Sequence, residues 1–161
     1  SIASESQLRG MLFWLMGDLS QAGEPAAALA ALPLALTLAM PFARELNLLA
    51  RGQMQAQALG VAVVRLRRTV YFLASFATAV AVTTAGAIGF IGLVVPHLVR
   101  LATGNDQRLL LPAATLAGGS LLVLADTAAR TLVAPQQLPV GVLTALIGVP
   151  VFLFLLTRQA K

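Results

Sequence analysis

The chain has no cysteine, one histidine and few charges of either sign. Without cysteine there is no disulfide framework, no thiolate zinc site and no cysteine nucleophile. A single histidine is too few for a histidine-based metal cluster. Only 11% of the 161 residues are charged, 58% are hydrophobic, and the mean hydropathy is +0.87. Soluble domains average roughly 45–50% apolar and about 25% charged residues, so an ordinary water-soluble enzyme is excluded. Disorder is excluded too, because it needs low hydrophobicity and high net charge. There is also no phosphate-cradling Gly-Lys-Ser/Thr loop, no catalytic triad, no paired-carboxylate site and no nucleic-acid motif. Any ATP chemistry therefore belongs to a separate polypeptide or domain, and the chain itself is expected not to be an enzyme.

What is present is apolar sequence in long runs. Four runs carry no Asp, Glu, Lys or Arg: residues 25–43, 69–99, 109–125 and 131–157. A spanning helix takes roughly 17–25 apolar residues, so the first and third runs fit one span each. The second and fourth are too long and must break. Gly86, Gly89 and Gly92, followed by Pro96, supply the break in the second, since glycine and proline punctuate helices. Pro135-Gln136-Gln137-Leu138-Pro139 supplies it in the fourth. Membrane helices are thus expected at 26–43, 69–86, 94–102, 107–130 and 141–157.

The short helix 94–102 decides the topology. If it crosses, Arg44, Arg51, Arg65, Arg67, Arg68, Arg100, Arg108, Arg158 and Lys161 share one side, leaving Arg9 and Arg130 on the other, nine against two. If it does not, the split is six against five. The positive-inside rule selects the first layout. The fold class is therefore all-α, a polytopic transmembrane bundle with about five crossings, one of them short. Residues 1–24 lie on the outer face, and the loop 44–68 and the C-terminus are cytoplasmic. A short, bent crossing is tolerated only inside a bundle or beside a water-filled cavity, and broken helices of this kind are frequent in transporters. The basic residues sit at span ends, which accounts for the pI of about 11.4 without nucleic acid.

Two further segments are informative. QLRGMLFWLMG at 7–17 is too short to span, and Phe13 and Trp14 suit the interface; it is either the end of a preceding helix or a short helix on the outer face. LNLLARGQMQAQALGV at 46–61 carries a patchy apolar face on Leu46, Leu49, Met54, Ala58 and Leu59, and Gly52 splits it into two short helices. Such a face suits docking on a soluble partner in the helix-in-groove manner; packing against its own bundle fits equally well. The opening SIASESQLRG has neither the basic start nor the apolar core of a signal peptide, and the sequence reads as a piece of a longer chain.

GAIGFIGLVVPHLVRL at 86–101 resembles the signature of FecCD-type ABC importer permeases, which serve iron–siderophore, haem and cobalamin uptake. The resemblance continues through LLPAATLAGGSLLVLADTAAR at 110–130, LPVGVLTALIGVPVFLFLL at 138–156 and RGMLFWLMG at 9–17. It covers essentially the whole chain and matches the C-terminal half of the family's permease. It implies a multi-pass permease subunit in a bacterial inner membrane, surrounded by lipid and paired with a second permease copy. It also implies a cytoplasmic ABC ATPase subunit that uses the ATP and an extracytoplasmic substrate-binding protein that delivers cargo. No cofactor bound by this chain, no metal site and no nucleic acid are implied. The expected cargo is an iron–siderophore-type metal chelate; the alternatives are cobalamin, haem, or an incomplete fragment that does not transport.

The resemblance assigns roles to residues. It implies that 46–61 is the ATPase-coupling loop, with Asn47, Gly52, Ala56, Leu59 and Gly60 on the pattern. Arg51 and Gln53 depart from it, since relatives often have Leu-Gly-Glu there, which puts particular charge contacts in doubt. It also implies that Arg130, at the outer end of its helix, pairs with an acidic residue of the binding protein. Asp126 stands at i,i+4 to Arg130 and either pairs with it or orients it for docking. Gly86, Gly89 and Gly92, with Gly118 and Gly119, are read as bend and packing positions, since small residues let membrane helices approach closely. His97 is expected to be a bundle-facing group with a hydrogen-bond partner, Thr83 and Thr84 either line a path or bond their own helix, and Pro150 bends the last helix. An ion-gradient transporter or channel usually carries ionisable groups within the membrane; here the charges cluster near span ends.

Overall fold

The structure is a computed structural model and describes residues 2–17, 19, 25–131 and 138–159. The remainder of the expected outer segment (1, 18 and 20–24), residues 135–137 of the expected proline break and Lys161 lie outside the described residues. Every regular element among the described residues is helical: α1 (Ile2–Met16), α2 (Pro25–Ala39), a 3-10 turn (Met40–Phe42), α3 (Ala43–Ala50), α4 (Gln53–Ala58), α5 (Val63–Ala85), α6 (Ile91–Thr103), α7 (Gln107–Thr131) and α8 (Val140–Gln159).

Three stretches are long and apolar enough to cross a membrane: Leu29–Ala50, Val63–Ala85 and Gln107–Thr131. Two shorter apolar helices, Ile91–Thr103 and Val140–Leu155, accompany them. Their side chains are largely exposed, Phe72 in α5 by 82% for instance, as expected of faces that meet lipid or further helices. The chain is an all-α polytopic membrane bundle.

Local chemistry explains the helix limits. Pro25 opens α2, where its fixed φ is already helical and its missing N–H costs nothing. Pro41 tightens the end of α2 into the 3-10 turn, after which the backbone stays helical through α3. α5 starts at Val63, ahead of the expected 69, because Arg65, Arg67 and Arg68 are good helix formers. Those charges end the apolar run without ending the helix. α6 starts at Ile91 and not at 94, so Pro96 falls inside it, and the break lies before it, from Gly86 to Phe90. Gly86 caps α5 at φ 74°, ψ −169°, a region almost reserved for glycine. Phe90 takes φ 65°, the only non-glycine above zero among the described residues.

The helices form two groups. α2 packs along α5, while α6 packs along α7, and both touch α8. The groups meet at their ends. At one end α3 touches α7 through Asn47, Asp106 and Gln107. At the other, α1 runs into the ends of α5 and α8: the Gly141 N–H donates to the Gly17 carbonyl at 3.2 Å, and Gly86 and Gly141 lie against the carbonyls of Trp14 and Met16. The first contact puts residues 44–68 and 100–108 on one side, as the nine-against-two charge layout requires. Short apolar cores close each end. Ala56, Val61, Val63 and Leu66 form one, with Phe42, Leu46, Leu48, Leu49 and Val70 around them. Ala125, Ala129 and Val140 form the other, with Leu19, Leu122 and Leu143.

Candidate functional site

At the basic end α3 and α4 form a folded helical hairpin whose turns are set by two glycines. Gly52 (φ 130°) ends α3, its N–H donating to the Leu49 carbonyl at 3.1 Å, and its own carbonyl accepts the Ala56 N–H at 3.0 Å. Gly60 (φ 83°) ends α4: its N–H bonds the Gln57 carbonyl at 2.9 Å, and the Val61 N–H bonds the Ala56 carbonyl at 3.0 Å. Those two bonds are a Schellman motif, with Val61 and Ala56 making its usual apolar contact. Nothing lies within 4 Å of a side chain built on either glycine, so backbone conformation and not crowding selects them.

The hairpin presents one face and buries the other. Met54 is 81% exposed and Leu59 66%, with Gly52, Gln53 and Gly60 also exposed. Ala56 is 0% exposed. It faces the core beneath the hairpin, so among the expected coupling residues it supports the surface without forming it. Gln53 reaches back to α5, where its Oε1 accepts from Arg67 Nη2 at 3.0 Å. An open cleft of about 450 Å³ lies between Gln57 and the Arg65 and Arg68 side of α5.

Asn47, half-buried on α3, is used within the chain. Its Nδ2 donates to Asp106 Oδ1 at 2.7 Å, and its Oδ1 accepts the Gln107 N–H at 2.8 Å. Asp106 Oδ1 also accepts the Arg108 N–H at 3.0 Å, the usual N-cap bond, and the Asp106 carbonyl accepts the Leu110 N–H at 2.8 Å. The Asn47 amide, then the Arg108 N–H and the Arg108 charge, hold the Asp106 carboxyl below the ordinary aspartate value of 3.8. A second open cleft, about 460 Å³, runs between Asn47, Ala50 and Arg51 on one side and Asn105 and Asp106 on the other.

At the opposite end Arg130 Nε bonds Asp126 Oδ2 at 2.8 Å, the i,i+4 pair expected from the sequence, with the arginine side chain 43% exposed and the aspartate 22%. The glycine assignments divide. Gly86 makes the expected bend and close approach. Gly89, Gly92 and Gly119 have nothing within 4 Å of a built side chain, so close helix approach is not their role among the described residues. Gly118 is in ordinary contact with Ile91 and Val95. Gly141 and Gly148, which the sequence reading passed over, are tight as well, against Met16 and Phe90, as is Gly17 against Ala87 and Ile88. Gly92 is instead the residue whose carbonyl Pro96 leaves without its i+4 partner. His97 is half-buried on α6. Thr83 and Thr84 donate to the carbonyls of Ala79 and Val80 of their own helix, at 2.7 and 2.9 Å.

Residues 1–158 match the family described as the FecCD transport family. The hemin transport system permease protein HmuU of Yersinia pestis is 47% identical over 99% of this chain and 48% of its own length. The cobalamin import system permease protein BtuC of Halobacterium salinarum is 46% identical over 96% of this chain and 42% of its own. A solved ABC transporter described as of metal-chelate type, in an inward-facing conformation, superposes with a TM-score of 0.86 at 35% identity, over 96% of this chain and 50% of that one. The chain spans about half the length of the curated relatives it matches.

Proposed function

Because the chain belongs to the FecCD transport family, we propose that it acts within the membrane-spanning permease of an ATP-driven importer. The observation that carries this reading is the α3–α4 hairpin: a folded knob with exposed Met54 and Leu59, built on Gly52 and Gly60, at the basic end of the bundle. Met54 and Leu59 are its exposed anchors, with Gly52, Gln53 and Gly60 beside them. The proposed occupant is a groove on a cytoplasmic ATPase subunit, which hydrolyses the ATP. Arg130 is proposed to meet an acidic residue of a substrate-binding protein on the outer face, with Asp126 fixing its orientation. A second permease copy and lipid cover the exposed helix faces, and the membrane is the bacterial inner membrane. The chain is proposed to bind no cofactor of its own.

The proposed cargo is a bulky metal chelate. The names of the relatives support haem and cobalamin; an iron–siderophore belongs to the same class and remains the expectation from the sequence. Transport is proposed for the complete permease. Proteoliposomes holding that permease and its ATPase should accumulate one of the three labelled chelates only when ATP is supplied. Uptake that persists without the ATPase would replace this reading with an ion-driven transporter.

A further inference from the structure

We propose that Asn47 is a positioning residue that latches the α3–α4 hairpin to the first turn of α7, so that the docking segment and the α6–α7 pair move together. The proposal rests on the importer reading above and changes the role expected for Asn47 from a contact with the ATPase to a link inside the permease.

The first turn of any helix has N–H groups with no partner in that helix. Here Asp106 takes the one from Arg108, and Asn47, 60 residues from Gln107 in the chain, takes the one from Gln107. One helix thus supplies part of the cap of another. The Asn47 amide is held at both ends, since its Nδ2 also donates to the Asp106 carboxylate. A two-point contact fixes orientation as well as distance, and a hydrogen bond to a charged group is stronger than a neutral one. The α2–α5 pair and the α6–α7–α8 group otherwise meet mainly where α1 joins them, at the far end. A partner that pushes α3 therefore either carries α7 with it or breaks both bonds. α7 in turn packs along α6, the short helix behind the Gly86–Phe90 break.

The test uses the intact permease with its ATPase in proteoliposomes. Asn47→Ala removes the latch from one side. Asp106→Ser removes its charged bond and leaves the Gln107 N–H bond to Asn47, with a good N-cap still on α7; Asp106→Asn keeps an acceptor oxygen. Asn47→Ala and Asp106→Ser should each leave co-purification of the ATPase unchanged and raise the ATP hydrolysed per chelate imported by about tenfold, the scale of one such bond. The double variant should be no worse than Asn47→Ala alone, and Asp106→Asn should stay near wild type. Loss of the ATPase on Asn47→Ala with a normal Asp106→Ser protein, or additive losses, would overturn the latch. If the wild-type permease binds no ATPase, the importer reading fails instead. Spin labels at Arg51→Cys and Leu109→Cys then decide the latch by themselves. Their distance distribution should broaden on Asn47→Ala, and an unchanged distribution would overturn it.

Discussion

Asn47 and Asp106 stand 59 residues apart in the chain and are joined by a 2.7 Å hydrogen bond that binds the α3–α4 hairpin to the cap of α7. Two stretches that neither periodicity nor hydropathy connects thereby become one structural unit at the basic end of the bundle.

The first prediction concerns acid. The Asp106 carboxyl is held below 3.8, first by the Asn47 amide. A group with a depressed folded pKa contributes stability that is fully present above its unfolded value and is lost as pH falls through the folded one. Wild-type protein should therefore exceed Asp106→Asn in thermal stability at neutral pH. The difference should hold down to about pH 4 and shrink below it. A difference that is constant with pH would detach the shift from the latch.

The second concerns the hairpin. Met54→Glu and Leu59→Glu fall on exposed positions and should leave the permease folded while lowering ATPase co-purification. Ala56→Glu enters a fully buried position and should lower the melting temperature instead, because it places an unpaired charge in a core. Melting and co-purification measured on the same three variants separate the surface of the hairpin from its support.

The third concerns glycine. Gly86→Ala meets both a disfavoured backbone region and the Trp14 carbonyl, and should cost about 1–3 kcal/mol. Gly89→Ala and Gly92→Ala meet open space and should stay within about 0.5 kcal/mol of wild type. Denaturation of the three variants in detergent checks the order.

The fourth concerns Arg130. Its pair with Asp126 is partly exposed, so Arg130→Gln should cost only a few tenths of a kcal/mol in stability. Affinity for the substrate-loaded binding protein should nonetheless fall by about tenfold, since truncating an interfacial charge partner costs far more than an exposed helix pair. Surface plasmon resonance on the reconstituted permease reads the affinity; a fall no larger than the stability change would leave Arg130 as an intrahelical partner only.

Local chemistry made part of this legible in the sequence. Gly52 as the divider of the hairpin, Gly86 as a break and the Asp126–Arg130 pair each follow from residues within a few positions of one another. The membrane class followed from composition, while the sidedness stays an expectation from where the eleven basic residues fall. Helix limits were less legible, because Arg65, Arg67 and Arg68 end the apolar run without ending the helix. Ala56 was expected only as a coupling-loop residue, because alanine carries no pattern of its own; the core of Val61, Val63 and Leu66 assigns it a buried role. The roles of Gly141 and Gly148 depend on Met16 and Phe90 arriving from distant parts of the chain. The Asn47–Asp106 bond is the extreme case, since a contact across 59 residues leaves no local signal.

The α3–α4 hairpin is the proposed seat of the ATPase, and a cysteine placed there tests it directly once any cysteines of the complete permease outside these 161 residues are replaced. A single cysteine at Leu59, in the complete permease with its ATPase, would be treated with a short thiol-to-amine cross-linker, with a cysteine at the exposed mid-helix position Phe72 as control. The account predicts an adduct of ATPase mass from Leu59→Cys and none from Phe72→Cys. No adduct from Leu59→Cys, or equal adducts from both, would contradict it.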